Sequence, residues 1–130
     1  MNSKAFRRFK IKPARYRELQ YICWQYTDMI EEMDALATTS PNMDGQPRGS
    51  ETSDPTHDAA VRRERYARRV SAIQKCARLA GGPNERGLLI AVTTRGSSYE
   101  WARLRGLVYC GRQQFYEMRR HFLWLLDRLV

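Results

Sequence analysis

The chain has 130 residues, which is enough for one domain with its own core and too few for two large domains. It carries 23 basic and 14 acidic side chains, and the formal net charge of +9 favours a polyanionic partner such as nucleic acid or a membrane surface. No run of about 18 apolar residues is present, and the basic N-terminus lacks the apolar core of a signal peptide. We therefore expect a soluble, cytoplasmic protein with no membrane partner.

The charge is divided unevenly along the chain. The first 20 residues contain seven basic and one acidic side chain, whereas residues 21–61 contain one basic and eight acidic ones. Residues 62–130 return to fifteen basic and five acidic side chains. Residues 1–12 are predicted to form a flexible arm that can follow a phosphate backbone with five basic side chains, Lys4, Arg7, Arg8, Lys10 and Lys12.

The segment from Pro13 to Ala37 has no internal glycine or proline and is predicted to be one long helix. Its apolar residues recur at alternating steps of three and four, the spacing of a helix that buries one face against another helix. These residues are Tyr16, Leu19, Cys23, Tyr26, Ile30, Met33 and Ala37. A polar, acidic segment follows over residues 38–54 and is predicted to be a disordered loop, unless it has a role of its own.

A second long helix is predicted to begin at Asp54, which can cap it, and to end near Ala80, before Gly81-Gly82-Pro83. The same alternating spacing gives it a buried face of Tyr66, Val70, Ile73, Ala77 and Ala80. Because neither helix can bury its apolar face alone, residues 13–80 are predicted to form an antiparallel helical hairpin. The hairpin is a candidate surface for homodimerisation or for contact with RNA polymerase.

The second helix also carries a cluster of arginines, Arg62, Arg63, Arg65, Arg68 and Arg69. The favoured interpretation is that these side chains pair with the acidic face of the first helix, which contains Asp28, Glu31, Glu32 and Asp34. The competing interpretation is a second basic surface that meets a polyanion.

Three shorter helices are predicted within residues 84–130. Ser97-Ser98-Tyr99-Glu100 has capping-box spacing, Gly106 closes the short helix that it opens, and the last helix begins near Gly111. A short helix, a glycine-containing turn and a longer helix with polar first turns form the pattern of a helix-turn-helix, whose second helix enters the major groove. The predicted fold is therefore all-α, with a long antiparallel hairpin followed by a three-helix helix-turn-helix unit.

The last helix has two distinct faces at about 100° per residue. One is apolar and contains Phe115, Met118, Phe122, Leu125, Leu126 and Leu129, and the opposite one contains Gln113, Tyr116, Glu117 and Arg120. Gln, Arg and Glu are the types that pair with adenine, guanine and cytosine, respectively. Flanking positions suit phosphate contacts, and the candidates there are Arg112 and Arg119, with Arg103 and Arg105 on the short helix. The competing interpretation is an arginine-rich face that only meets solvent.

No catalytic site is indicated by the sequence. The cysteines form no Cys-x-x-Cys pair, and buried thiols in a reducing cytosol are the simpler expectation for Cys23, Cys76 and Cys110. His57 and His121 have no neighbouring pattern that indicates a nucleophile or a metal site. We therefore expect a protein that is not an enzyme and that uses no cofactor and no metal.

The order of these parts resembles small phage and prophage transcriptional regulators of the ArpU/RinA type. The resemblance is carried by the first helix ending in DALATTSP, the acidic loop, the second helix and the closing YCGRQQFYEMRRHFLWLLDRL. The C-terminal part is similar to the promoter-reading fourth region of bacterial sigma factors, with Ala102 where a small residue packs against the recognition helix and with residues 112–120 as that helix. The chain departs from the sigma pattern in its turn, Gly106–Gly111, which is longer.

The resemblance implies a cytosolic protein that binds double-stranded DNA and activates late genes of a phage or of an element integrated in a Gram-positive host. An alternative is a phage-encoded interaction protein that uses a helix-turn-helix scaffold to inhibit a host nuclease or defence complex. A third hypothesis is a DNA-packaging adaptor, which should assemble into large rings.

Overall fold

The computed structural model describes residues 8–38 and 55–130, and these residues are helical with no β-strand. The helices are α1 (Pro13–Trp24), α2 (Tyr26–Thr38), α3 (Pro55–Gly81), α4 (Glu85–Thr93), α5 (Tyr99–Leu104) and α6 (Arg112–Leu129). A short 3-10 helix, Gly82–Asn84, joins α3 to α4. The predicted all-α fold is confirmed, and residues 39–54 of the predicted loop lie outside the described residues. Within the described ranges, no helix is long and apolar enough to cross a membrane.

The long helix predicted over Pro13 to Ala37 is divided into α1 and α2 at Gln25. The backbone N–H of Gln25 reaches back to the carbonyl of Ile22 at 3.2 Å, the three-residue step of a tightened 3-10 turn. On either side of Gln25 the chain has different neighbours, because α1 packs mainly on α4 and α6 whereas α2 packs on α3. The antiparallel pair therefore consists of α2 and α3, and α1 belongs with the C-terminal helices.

Two hydrogen bonds define how α2 and α3 run relative to each other. The side-chain amide of Gln74 donates to the hydroxyl of Tyr26 at 2.9 Å, and Arg63 Nε donates to the carbonyl of Met33 at 3.3 Å. The earlier residue of α2 contacts the later residue of α3, so the two helices are antiparallel.

The arginines of α3 do not pair with the acidic residues of α2 in the described part of the chain. Arg63 binds a backbone carbonyl, and Arg68 pairs at 2.9 Å with Glu64, one turn away on α3 itself. On α2, the side chain of Met29 is buried in the core. The acidic residues are all exposed to solvent: Asp28, Glu31, Glu32 and Asp34. The predicted pairing is not observed, and α2 presents an acidic outer surface.

One main hydrophobic core joins the helices of both predicted units. It contains residues of every helix except α5, including the fully buried side chains of Leu19, Cys23, Ile73, Cys76, Leu88, Phe122, Leu123 and Leu126. The predicted boundary between a hairpin over 13–80 and a helix-turn-helix over 84–130 therefore does not separate two cores. Replacing a buried Leu or Ile of this core by Ala is expected to cost about 2–5 kcal/mol of stability.

A smaller hydrophobic cluster holds α4, α5 and the start of α6 together. Ala91, Ala102, Val108 and Phe115 are its buried members. Ala102 of α5 is fully buried in this cluster. This cluster fixes where α6 begins relative to the preceding short helix.

Residues 8–12, here called the N-terminal strap, pack onto α6. Phe9 is only 8% exposed, and its ring stacks on His121 at a centroid distance of 4.4 Å and lies 5.1 Å from Trp124. Phe9, which the sequence placed in the flexible arm 1–12, is thus buried. A second long-range contact lies nearby, where Arg15 Nε of α1 donates to the carboxylate of Asp127 at 2.6 Å. This hydrogen bond to Asp127 raises the pKa of Arg15.

We expect Gly87→Ala to destabilise the fold by about 1–3 kcal/mol, as overpacking does. A Cβ at Gly87 would lie 1.7 Å from the carbonyl oxygen of Leu107, so α4 and the linker before α6 would have to separate. Gly111→Ala is the control, because nothing lies within 4 Å of a Cβ there and the φ of −80° suits any residue. Urea unfolding measures both, and equal stability of the two variants would refute the close contact.

We expect acid to loosen the contact between the strap and α6. Burial, and then the charge of Arg8, lower the pKa of His121 below its usual value of 6.5. The folded state therefore favours the neutral ring, so this stabilisation is present above about pH 6.5 and is lost as the pH falls through the lowered pKa. Thermal unfolding between about pH 7 and about pH 5 should show a steeper fall in Tm for the wild type than for His121→Gln. If Tm fell equally with pH in the wild type and in His121→Gln, the neutral His121 ring would not be the source of this pH dependence.

Candidate nucleic-acid interface

Helix α6 places one face in the core and leaves its first turn in solvent. Phe115, Phe122 and Leu126 are fully buried, and Met118 is nearly so. The side chains of the first turn, Arg112, Gln113 and Gln114, are exposed. Gln114 was not among the predicted site residues, because it lies about 100° from Gln113 around the helix and outside the face chosen from the wheel. The exposed end of α6 is therefore a polar surface on a helix that the core holds firmly.

The polar side chains of the first turns are held by neighbouring carboxylates. Arg112 forms an ion pair with Glu100 of α5, and its guanidinium lies 5.6 Å from the centre of the Tyr116 ring. The side-chain amide of Gln113 donates to the carboxylate of Glu117 at 3.1 Å, one turn along α6. Both contacts are on the surface, so they orient the side chains without removing them from solvent.

Tyr116 does not belong to the outward face on which the helical wheel placed it. Its hydroxyl accepts a hydrogen bond from the backbone N–H of Tyr99 at 3.2 Å, and its ring packs edge-on against Phe115 at 5.0 Å. The ring is half-buried because α5 covers that side of α6. Tyr116 therefore ties α5 to α6, and its hydroxyl already has a partner within the fold.

Arg119 and Arg120 also contact the protein itself. Arg119 donates to the carbonyl of Ser97 at 2.9 Å, just before α5. Arg120 Nε donates to the carbonyl of Phe9 at 2.7 Å, and its guanidinium lies 5.8 Å from the ring of Tyr16. Both side chains are half-buried. They hold other segments against α6, and the DNA contacts expected for them from the sequence stay a prediction.

Arg103 on α5 and Arg105 just after its end are both exposed but have different surroundings. Arg103 lies about 60° around the helix from Glu100, the residue that reaches α6, so it shares the side of α5 next to Arg112. Arg105 is the C-cap residue of α5 and lies outside its last helical turn. It stacks on Trp101 with a distance of 4.4 Å to the ring centre and donates to the Trp101 carbonyl at 3.2 Å.

The long turn between α5 and α6 is held by specific hydrogen bonds. The buried side chain of Asn84 accepts from the backbone N–H of Tyr109 at 2.7 Å. The hydroxyl of Tyr99 donates to the carbonyl of Cys110 at 2.8 Å. Gly106 has a φ of +67°, which glycine adopts without strain, and it begins the turn. The longer turn therefore has a defined path, and it fixes the direction in which α6 leaves it.

The start of α5 agrees in part with the predicted capping box. The hydroxyl of Ser98 accepts from the backbone N–H of Trp101 at 3.1 Å, so Ser98 is the N-cap. Ser97 instead donates to the carbonyl of Ala91 and joins the end of α4 to α5. Glu100 is not the reciprocal partner of a capping box, because its carboxylate reaches across to Arg112.

Two of the three cysteines, Cys23 and Cys76, are buried, and Cys110 is half-buried. Burial raises the pKa of Cys23 to about 12 and that of Cys76 to about 11, so both thiols are protonated at neutral pH and are poor nucleophiles. No group of three or more His, Cys, Asp or Glu side chains in residues 8–38 and 55–130 could hold a metal ion.

Comparison of the chain with protein-family models, with curated proteins and with solved structures finds no match. The structure leaves Arg103 of α5 and Arg112 and Gln113 of α6 exposed, and it joins Gln113 to the half-buried Glu117. Gln114 is also exposed, about 100° around α6 from Gln113. The structure places Tyr116, Arg119 and Arg120 in contacts within the fold.

We expect Asn84→Ala to destabilise the protein by about 1–2 kcal/mol, because the backbone N–H of Tyr109 loses the acceptor that holds the turn against residue 84. Asn84→Asp keeps an oxygen acceptor at the same place and should lose less. Chemical unfolding gives both values, and hydrogen exchange of the Tyr109 amide reports the local effect. If the alanine variant left both measurements unchanged, the turn would not depend on this hydrogen bond.

Proposed function

We propose that the protein is a sequence-specific DNA-binding transcriptional regulator that reads the major groove with the first turns of α6. The observation that carries the proposal is the exposed polar end of α6, whose opposite face is locked into the core. In helix-turn-helix proteins, the N-terminal residues of the second helix contact base edges. The arrangement of α5, its held turn and α6 supports this use of the helix.

Gln113 and Glu117 are the proposed base-reading residues. The contact with Glu117 occupies one N–H of the Gln113 amide and leaves its carbonyl oxygen and its second N–H available. Those two groups are the pair that binds adenine bidentately in the major groove. Glu117 is also positioned to accept from the amino group of cytosine. The two residues would then read neighbouring base pairs.

Arg112 and Arg103 are the proposed phosphate or guanine contacts. The ion pair between Arg112 and Glu100 is solvent-exposed, and exposed pairs contribute only about 0–1 kcal/mol. Arg112 can therefore exchange Glu100 for a phosphate or a guanine at small cost. Glu100 then repels misplaced phosphates and limits non-specific binding, which makes it a determinant of selectivity.

Arg112→Gln and Glu100→Gln are expected to change DNA binding in opposite directions. Loss of the Arg112 charge should weaken binding and lower the slope of log K against log salt by about 0.9, the value for one phosphate contact. Loss of the Glu100 charge should strengthen binding to unselected duplexes. Fluorescence anisotropy over a range of salt concentrations, with a duplex recovered by selection from a randomised library, measures both effects.

Arg65→Gln is the matched control for Arg112→Gln, because it also removes one exposed positive charge. Arg65 lies next to Glu64 on α3, and Glu64 lines the same groove as Leu129 of α6. Leu129 is about 25 Å along α6 from Arg112, so Arg65 is far from the proposed interface. If Arg112→Gln and Arg65→Gln weakened binding equally, the exposed end of α6 would not be the interface.

Gln113→Ala should relax sequence preference at one base pair, at a cost of about 1–3 kcal/mol for the preferred base. Selection from a randomised duplex library by the variant and by the wild type compares the preferences directly. Gln114→Ala is the adjacent exposed control, since Gln114 lies off the proposed reading face. Identical preferences of the Gln113 variant and the wild type would contradict the assignment.

We extend the proposal to activation of phage late genes, with host RNA polymerase as a partner, on the strength of the resemblance to regulators of the ArpU/RinA type. A transcription assay with host RNA polymerase and the promoter of the neighbouring late genes tests this extension. Binding to DNA without activation would limit the protein to DNA binding. Capture of a host nuclease, with no preference among duplexes, would favour the inhibitor hypothesis.

A further inference from the structure

The side chains of the N-terminal strap alternate between solvent and core. Arg8, Lys10 and Lys12 are exposed, whereas Phe9 is buried and Ile11 packs against the main core. The apolar side chains therefore hold the strap down while the basic ones point outward. The result is a short row of positive charges at a fixed place on the surface.

The strap is fixed to α6 by two ring contacts and one hydrogen bond. The ring of Phe9 stacks on His121 at 4.4 Å and meets Trp124 at 5.1 Å. The carbonyl of Phe9 accepts a hydrogen bond from Arg120 at 2.7 Å. Because the carbonyl and the ring of one residue are both held, the chain on either side of Phe9 has a defined position.

The strap covers the continuation of the proposed reading face. By the 100° rule, Arg120 and Trp124 lie within about 20° of Gln113 around α6, so the face that is open at Gln113 is covered by the strap further along. The distance from Gln113 to Arg120 is about 10 Å along the helix axis. The major groove is about 8.5 Å deep. When the end of α6 reaches the bases, the strap therefore lies at the level of the phosphates that border the groove.

We propose that the N-terminal strap is a second DNA contact, in which Arg8, Lys10 and Lys12 bind backbone phosphates at the edge of the groove that α6 enters. This inference rests on the proposed function and names a further part of its interface. The partner is the phosphodiester backbone of duplex DNA, because the row contains only cations and offers no group that reads base edges. Phe9 keeps these cations in place before binding, which lowers the entropy lost on association.

The test compares Lys10→Gln/Lys12→Gln with the control Lys75→Gln/Arg78→Gln, which removes two exposed charges from α3. Both are measured on a duplex selected from a randomised library and on an unselected duplex, over a range of salt concentrations. The strap variant should lower the slope of log K against log salt by about 1.8. It should weaken both duplexes by the same factor, since phosphate contacts carry no sequence information. The control should change the slope by much less.

Phe9→Ala provides a second variant that keeps every charge. If the strap acts only when docked, this variant should weaken binding of both duplexes while circular dichroism shows that the helices remain. Unchanged affinity in Phe9→Ala, or an equal loss in the strap variant and in the α3 control, would overturn the inference.

The outcomes also separate this inference from the proposed function. A wild-type protein that shows no preference among duplexes would refute the proposed function itself. A wild-type protein that prefers certain duplexes, together with a strap variant of unchanged salt slope, would leave the function standing and refute only the role of the strap.

Discussion

The burial of one face of α6 is the constraint on which the rest of the structure depends. Phe115 joins the smaller cluster with α4 and α5, while Phe122 and Leu126 join the main core with α1 and α3. A helix held along its length on one side can expose its other side without losing its position. The polar first turn of α6 is thus held in position by buried side chains that no ligand contacts.

Much of the helix pattern could be predicted from the sequence, because the apolar spacing of three and four residues identifies a buried face directly. The same spacing cannot say what covers a polar face. Tyr116 and Arg120 were placed outward by their angle around α6, yet α5 covers the first and the strap covers the second. Arg120 and Phe9 are 111 positions apart in sequence, and no local pattern links them.

Two other features depend on which distant segments the chain packs against. The chain divides at Gln25 without a nearby glycine or proline, and the division coincides with a change of neighbours from α4 and α6 to α3. Gly87 did carry a local signal, because a glycine within a helix costs about 1 kcal/mol relative to alanine and often marks a close approach. The backbone of Leu107 is what approaches.

The contacts between the two ends of the chain bear on how the protein is made. Arg15 binds Asp127 and the carbonyl of Val130, and Phe9 packs on His121. Synthesis runs from the N-terminus to the C-terminus, so Arg15 is made 112 residues before its partner Asp127. Domains rich in such distant contacts fold more slowly than those built from local ones. The strap and α1 can therefore reach their positions on α6 only after α6 itself has been synthesised.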